Sequence, residues 1–147
     1  MFDHILVVCV GNICRSPVAQ YFLQQKLPSK NVFSAGLSAM VDSDMDPSAR
    51  SVAEQHGLIC PAHSATQITP AMCRKADLIL VMENFHREAL GALCPEARGK
   101  VFLLGGLLDG TEIADPYRRD RHVFELVHAS IVRAAESWVQ KLNVGRS

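Results

Sequence analysis

The chain has no surplus of either charge: fifteen Lys and Arg balance fifteen Asp and Glu. That removes the broad electrostatic field with which proteins gather nucleic acid or an anionic membrane surface, so any recognition of an anion must be local. Long apolar runs are missing too. Nothing approaches the ~20 residues of a membrane span, and the apolar stretch near the N-terminus is too short and wrongly flanked for a secretory signal. A cytoplasmic protein without membrane insertion is expected. Cysteines number five, at irregular spacing, and an odd count of this kind excludes a disulfide framework. Cys9 and Cys14 lack the C-x-x-C spacing of zinc and thioredoxin sites, while Cys60, Cys73 and Cys94 read as reduced, partly buried thiols. The histidines lack metal-ligand spacing. Repeats, low-complexity tracts and linkers are also absent, and 147 residues make one domain, residues 1–147, with a frayed end over 143–147.

What is present is an alternation of two periodicities. Apolar runs rich in β-branched residues at Ile5–Val8, Val32–Ala35, Leu78–Met82 and Val101–Leu104 predict four short buried strands. Helical patterns lie between them. Val18 and Phe22, and Ala19, Leu23 and Leu27, recur at i, i+4, and Asp46-Pro47 and Thr69-Pro70 each put a capping side chain before a first-turn proline. Gly57 offers a stop. A final stripe of Phe124, Val127, Ile131, Ala134, Trp138 and Leu142 predicts a long helix with one buried face. Alternation of this kind predicts an α/β fold: a four-stranded parallel sheet in the order 2-1-3-4 between helices on both faces, a three-layer αβα, Rossmann-like or flavodoxin-like arrangement. Ligands of such sheets bind beyond the carboxyl ends of the strands, where the strand order reverses. With the first strand central, that point falls beside residues 9 to 15.

Residues 9 to 16 read Cys-Val-Gly-Asn-Ile-Cys-Arg-Ser, between the first strand and Pro17 of the first helix. A strand feeding a tight loop that opens a helix aims backbone N–H groups and the positive helix end at one point. Cys9, at the start of the loop, has its thiolate stabilised by those groups and by Arg15, which predicts an ionised nucleophile at neutral pH. Arg15 can fork two parallel hydrogen bonds onto phosphate oxygens, as Lys cannot. A leaving alkoxide or phenoxide also needs a proton. The segment Ile113-Ala114-Asp115-Pro116-Tyr117 places a carboxylate in the loop after the fourth strand, at the same end of the sheet, with Pro116 to stiffen it.

The Cys-x5-Arg-Ser loop together with the distant Asp-Pro-Tyr resembles the low-molecular-weight protein tyrosine phosphatase family. The likeness extends through Ser34-Ala35-Gly36, Asp46-Pro47, Ala62-His63, Gln67 and Asp77-Leu78-Ile79-Leu80, nearly the whole chain. It implies Cys9 as the nucleophile that forms a cysteinyl-phosphate, Arg15 as the residue holding substrate and transition-state oxygens, and Asp115 as general acid and then base. It implies Val10, Gly11, Asn12, Ile13, Cys14, Arg15 and Ser16 as the phosphate-binding loop, with Ser16 also donating to the thiolate. Asn12, a residue type that tolerates left-handed backbone angles, is implied to be braced by Ser34 and His63, and Tyr117 to wall the slot for the phosphotyrosine ring. Cys14 corresponds to a second thiol able to form a reversible disulfide with Cys9, and simple packing is an equally open role. A rigid ring of amides plus one Arg needs neither a metal nor a cofactor, so neither is expected. The segments His4-Ile5-Leu6-Val7-Val8-Cys9-Val10, Ser34-Ala35-Gly36-Leu37 and Asp115-Pro116-Tyr117-Arg118 look most like the bacterial branch that partners tyrosine autokinases of capsule and exopolysaccharide export. The implied partner is a phosphotyrosine protein of that kind; the oligomeric state stays open.

Two positions depart from the family pattern. Met40 stands where many members carry an aromatic, which makes one wall of the slot softer, and Thr66 replaces a usual Arg, which removes an ion pair. Arg118, Arg119 and Arg121 read as a charged loop entering a helix in preference to an attractor of acidic phosphopeptides. Two other functions use the same loop. Thiol-dependent arsenate reduction needs further cysteines near the nucleophile, and Cys73 and Cys94 stand far apart in sequence, while the Asp-Pro-Tyr loop is left without a task. A non-catalytic phosphotyrosine-binding module requires neither a nucleophile nor an acid.

Overall fold

The computed structural model describes residues 2 to 143. Four parallel strands, β1 (His4–Cys9), β2 (Asn31–Gly36), β3 (Leu78–Val81) and β4 (Val101–Leu103), form one sheet in the order β2-β1-β3-β4. The predicted topology and the reversal beside β1 are both observed. Helices α1 (Arg15–Lys26), α2 (Pro47–Gln55), α3 (Pro70–Lys75), α4 (Asn84–Leu93) and α5 (Arg121–Asn143) cover the sheet. The alternation along β1 divides the core in two. Ile5, Val7 and Cys9 join the residues of α1, α2 and α5, whereas Leu6 and Val8 join Cys73, Ile79, Leu90 and Val101 on the other face. Each of Ile5 to Val8 is wholly buried, and burial of such side chains contributes about 1.5–3 kcal/mol apiece.

The caps act as the sequence predicts. Asp46 accepts from the Ser48 and Ala49 amides at 2.8 and 3.3 Å, Thr69 accepts from Met72 at 3.2 Å, and Gly57 turns the chain at φ +85°. On α5 the stripe from Phe124 to Trp138 is buried, and the indole N–H of Trp138 donates to the Leu104 carbonyl at 2.8 Å. Residues 144–147 of the expected frayed end lie outside the described residues.

Two elements were not expected: α4 and the short 3-10 helix Pro95–Lys100. The residue that caps helix α4 is Glu83 in place of the usual Ser, Thr, Asp or Asn. His86 reaches back, its Nδ1 accepting from the Met82 and Glu83 amides at 3.2 and 3.1 Å. That diversion also ends β3 at Val81, one residue before the predicted Met82. Similarly β4 stops at Leu103, because Gly105 pairs with Thr111 and turns the chain. No helix among the described residues is long and apolar enough to cross a membrane.

Candidate active site

The loop from Cys9 to Arg15 leaves the carboxyl end of β1, and its carbonyls are all engaged from outside. Those of Cys9, Val10 and Gly11 accept from the amides of Leu37, Ser38 and Met40 at 2.9, 3.0 and 3.1 Å. The Asn12 carbonyl lies 2.7 Å from His63 Nε2, and that of Ile13 accepts from the Asp46 amide at 2.9 Å. A peptide whose C=O is held outward has its N–H directed inward. The amides of residues 10 to 14 donate to no group among the described residues, an arrangement able to receive an anion. Gly36 permits this close approach, since a Cβ there would collide with the Val10 carbonyl. Gln67 fastens the outer segment in turn, accepting from the Ala39 amide at 2.9 Å and donating to the Leu37 carbonyl at 2.8 Å.

Asn12 is the hub of the loop. It is fully buried, adopts φ +59°, and spends its whole side chain on partners. Its amide nitrogen donates to Ser16 at 2.7 Å and Ser34 at 3.0 Å, and its oxygen accepts from the Thr66 amide at 2.8 Å. The Ser34 hydroxyl in turn donates to Gln20 Oε1 at 2.5 Å. Ser16, already accepting from Asn12, stands 2.9 Å from Cys9 Sγ, so its proton is free to serve the sulfur. Thr66 thus contributes through its backbone, where the sequence reading attended only to the missing Arg. On the far side of His63, Nδ1 lies 2.9 Å from the Tyr21 hydroxyl.

Arg15 is 2% exposed, an unusual place for a charge, and it is paired. Its Nη1 donates to Glu83 at 2.7 Å and to the Ile113 carbonyl at 2.8 Å, while Nη2 lies 3.9 Å from Asp115. One nitrogen of the expected fork is therefore held structurally, and the Nε and Nη2 donors remain for an oxyanion. Behind Glu83, His86 is wholly buried and its Nε2 stands 3.6 Å from the same Glu83 oxygen without a hydrogen bond. Burial and then the nearby Arg15 push the His86 pKa down to about 4, so the ring is neutral. With Nδ1 accepting, its proton sits on Nε2 and faces the carboxylate.

These groups line a cleft of about 160 Å³ bounded by Cys9, Val10, Gly11, Ile13, Cys14, Arg15, Ser38, Met40, Asp115 and Tyr117. Of the residues singled out from sequence, Asn12, Ser16, Ser34 and His63 stand behind this surface. Cys9 is 2% exposed at the floor; Asp115, half exposed, overlooks it from the opposite wall, its Oδ1 accepting from the Tyr117 amide at 3.0 Å. The Arg118 guanidinium lies over the Tyr117 ring, and Arg121 bonds Ser51 and Gln55. Burial, with Asp46, Cys9 and Asp115 near, pushes the Cys14 thiol far above its ordinary range and keeps it protonated. All five cysteines are free, and Cys73 and Cys94 lie in the core on the other face of the sheet. Among the described residues no cluster of three or more His, Cys, Asp or Glu is arranged to hold a metal.

Sequence reasoning missed Glu83, His86, Tyr21, Gln20 and Ser38. A signal existed for Glu83: an acid just past an apolar strand, at the end where ligands bind.

A buried thiol under a ring of inward amides, one arginine and one facing carboxylate on a parallel sheet define a protein built to handle phosphate esters by nucleophilic attack. A model of the low molecular weight phosphotyrosine protein phosphatase family matches residues 4–147. Wzb of Escherichia coli, a low molecular weight protein-tyrosine-phosphatase, is 50% identical over 143 residues, covering 97% of each chain. AmsI of Erwinia amylovora, a probable enzyme of the same kind, is 46% identical, covering 97% of this chain and 99% of its own. The crystal structure of Escherichia coli Wzb in complex with sulphate matches with a TM-score of 0.94 at 48% identity, over 97% of this chain and 99% of that one. The chain belongs to the low molecular weight phosphotyrosine protein phosphatase family.

Proposed function

We propose that this protein hydrolyses phosphotyrosine through a covalent cysteinyl-phosphate. The convergence of Cys9, Arg15 and Asp115 on one narrow cleft carries the reading. The Cys9 thiolate attacks phosphorus and the P–O bond to the tyrosine breaks, with Asp115 giving its proton to the departing oxygen. The inward amides and the free edge of Arg15 hold the three phosphoryl oxygens throughout. Asp115 then takes a proton from water, which attacks phosphorus, breaks the S–P bond and restores the thiolate as inorganic phosphate leaves. A nucleophile on the floor of a slot walled by Met40 and Tyr117 favours a long planar aryl ester over a short serine phosphate.

The partner follows from the bacterial branch that the motifs resemble: a phosphorylated tyrosine autokinase of exopolysaccharide export, met in the cytoplasm. Arsenate reduction is the weaker reading, because the cleft offers only Cys14 as a second thiol and leaves Asp115 idle. The test is a Cys9→Ser trap. It is expected to lose turnover of aryl phosphates by ~10⁴-fold or more while capturing the phosphorylated autokinase, and a Cys9→Ser/Arg15→Ala control captures none. Full activity in Cys9→Ser refutes the covalent route. Phosphopeptide binding without phosphate release by the natural chain would make it a binding module.

A further inference from the structure

We propose that Tyr21 is a positioning residue for the phosphate loop, acting through His63 on the carbonyl of Asn12. The inference rests on the reading of that loop as a phosphate cradle. Tyr21 sits half-buried on α1, its ring edge-on to His63 with centroids 5.9 Å apart and planes at 87°. The Asn12 carbonyl can only accept, so the His63 Nε2 at 2.7 Å carries the proton. In the neutral ring Nδ1 is then an acceptor, and the Tyr21 hydroxyl at 2.9 Å donates to it. The free imidazole has two neutral tautomers. Only one of them can hold Asn12, and the tyrosine hydroxyl selects it.

That carbonyl is a weak point in the cradle. Of the five carbonyls from Cys9 to Ile13 it alone is held by a side chain; the other four are held by backbone amides. Its peptide carries the Ile13 N–H, and Asn12 already sits at φ +59°. Release of the carbonyl lets this peptide rotate and withdraws one inward donor from the anion. The surroundings are arranged to keep the relay in place. Asp44 accepts from the His63 amide at 3.0 Å and pairs with Arg50 at 2.6 Å, which fixes the backbone that presents the ring. Besides His63, the charged and titratable groups facing Tyr21 are Asp44, Arg50 and Cys60, and burial raises the tyrosine pKa, which keeps its hydroxyl a donor.

Tyr21→Phe removes one oxygen and keeps the ring. Two measurements on the full chain test the proposal: the ring ¹⁵N shifts of His63, and the dissociation constant of inorganic phosphate. The natural chain is expected to show the Nε2-protonated tautomer. In Tyr21→Phe the tautomers should mix and phosphate should bind about three- to tenfold more weakly, the fold-change of one lost hydrogen bond. His63→Ala should weaken phosphate binding at least as much, and adding Tyr21→Phe to it should cost nothing more, since the two act in series. An unchanged tautomer with unchanged phosphate affinity in Tyr21→Phe, or additive losses in the double variant, overturns the relay. Failure of the natural chain to bind phosphate instead removes the cradle reading on which the relay stands.

Discussion

The wall that carries Cys9 and the wall that carries Asp115 face the same cleft but are held in different ways. On the cradle side Asn12, Arg15 and Ser16 are at most 2% exposed, and their polar atoms are bonded to residues from five separate stretches of chain. On the other side the Asp115 side chain is 49% exposed, and its hydrogen bond goes to Tyr117, two residues on. The Arg119 amide bonds the Pro116 carbonyl at 2.9 Å, and Arg118 turns the chain at φ +63° with its guanidinium over Tyr117. The acid loop is therefore bonded largely to itself, anchored by buried Ile113 and Pro116. The proposed chemistry accounts for the difference. Oxyanion stabilisation depends on donors fixed before the reaction starts, whereas Asp115, in the role proposed for it, has to serve a phenolic oxygen and then a water at different positions.

Substitutions that strike one wall at a time test this contrast. Asn12→Ala has the largest expected effect: it strands several buried partners and puts Ala at a left-handed position. It should cost about 3 kcal/mol of stability in urea unfolding and lower kcat/KM about 10²-fold or more for every aryl phosphate alike. Asp115→Asn should lower kcat about 10²-fold for esters with poor leaving groups and far less for good ones, with thermal unfolding unchanged. A loss independent of the leaving group would show that Asp115 does not act as the acid. The smallest effect concerns pH and belongs to the cradle side. His86 titrates near 4 when folded against an ordinary 6.5, so the unfolded chain binds the extra proton and stability falls as pH drops through that window. At pH 5 the loss relative to pH 7 should be about 2 kcal/mol, measured by urea unfolding. His86→Gln should flatten this slope, with His128, shifted the same way by burial, accounting for what remains.

The sheet was legible because its central strands β1 and β3 are buried on both faces and so read as unbroken apolar runs, and because Asp46 and Thr69 announce their helices with ordinary caps. Helix α4 was not, since its start depends on His86 accepting hydrogen bonds from backbone amides, a pattern no local propensity records. The same division holds for the site. Cys9, Arg15 and Asp115 could be read from spacing and resemblance, because the loop that presents them is contiguous or ends in a stiffened Asp-Pro. Glu83 and Tyr21 act across 68 and 42 residues on Arg15 and His63, and only folding brings such partners together.

The two hydrogen bonds donated by Arg15 Nη1 bear on the order of events in the life of the chain. The guanidinium is tied to Glu83 and to Ile113, 68 and 98 residues further along, and the second of these opens the segment that carries Asp115. A chain still being synthesised, or a fragment that stops before that segment, holds Cys9 and Arg15 without the Ile113 carbonyl that helps to seat the arginine. Assembly of the site therefore waits for the segment from Ile113 to Asp115 to dock, and the appearance of activity during refolding is expected to coincide with closing of the Arg15 contacts to these two residues.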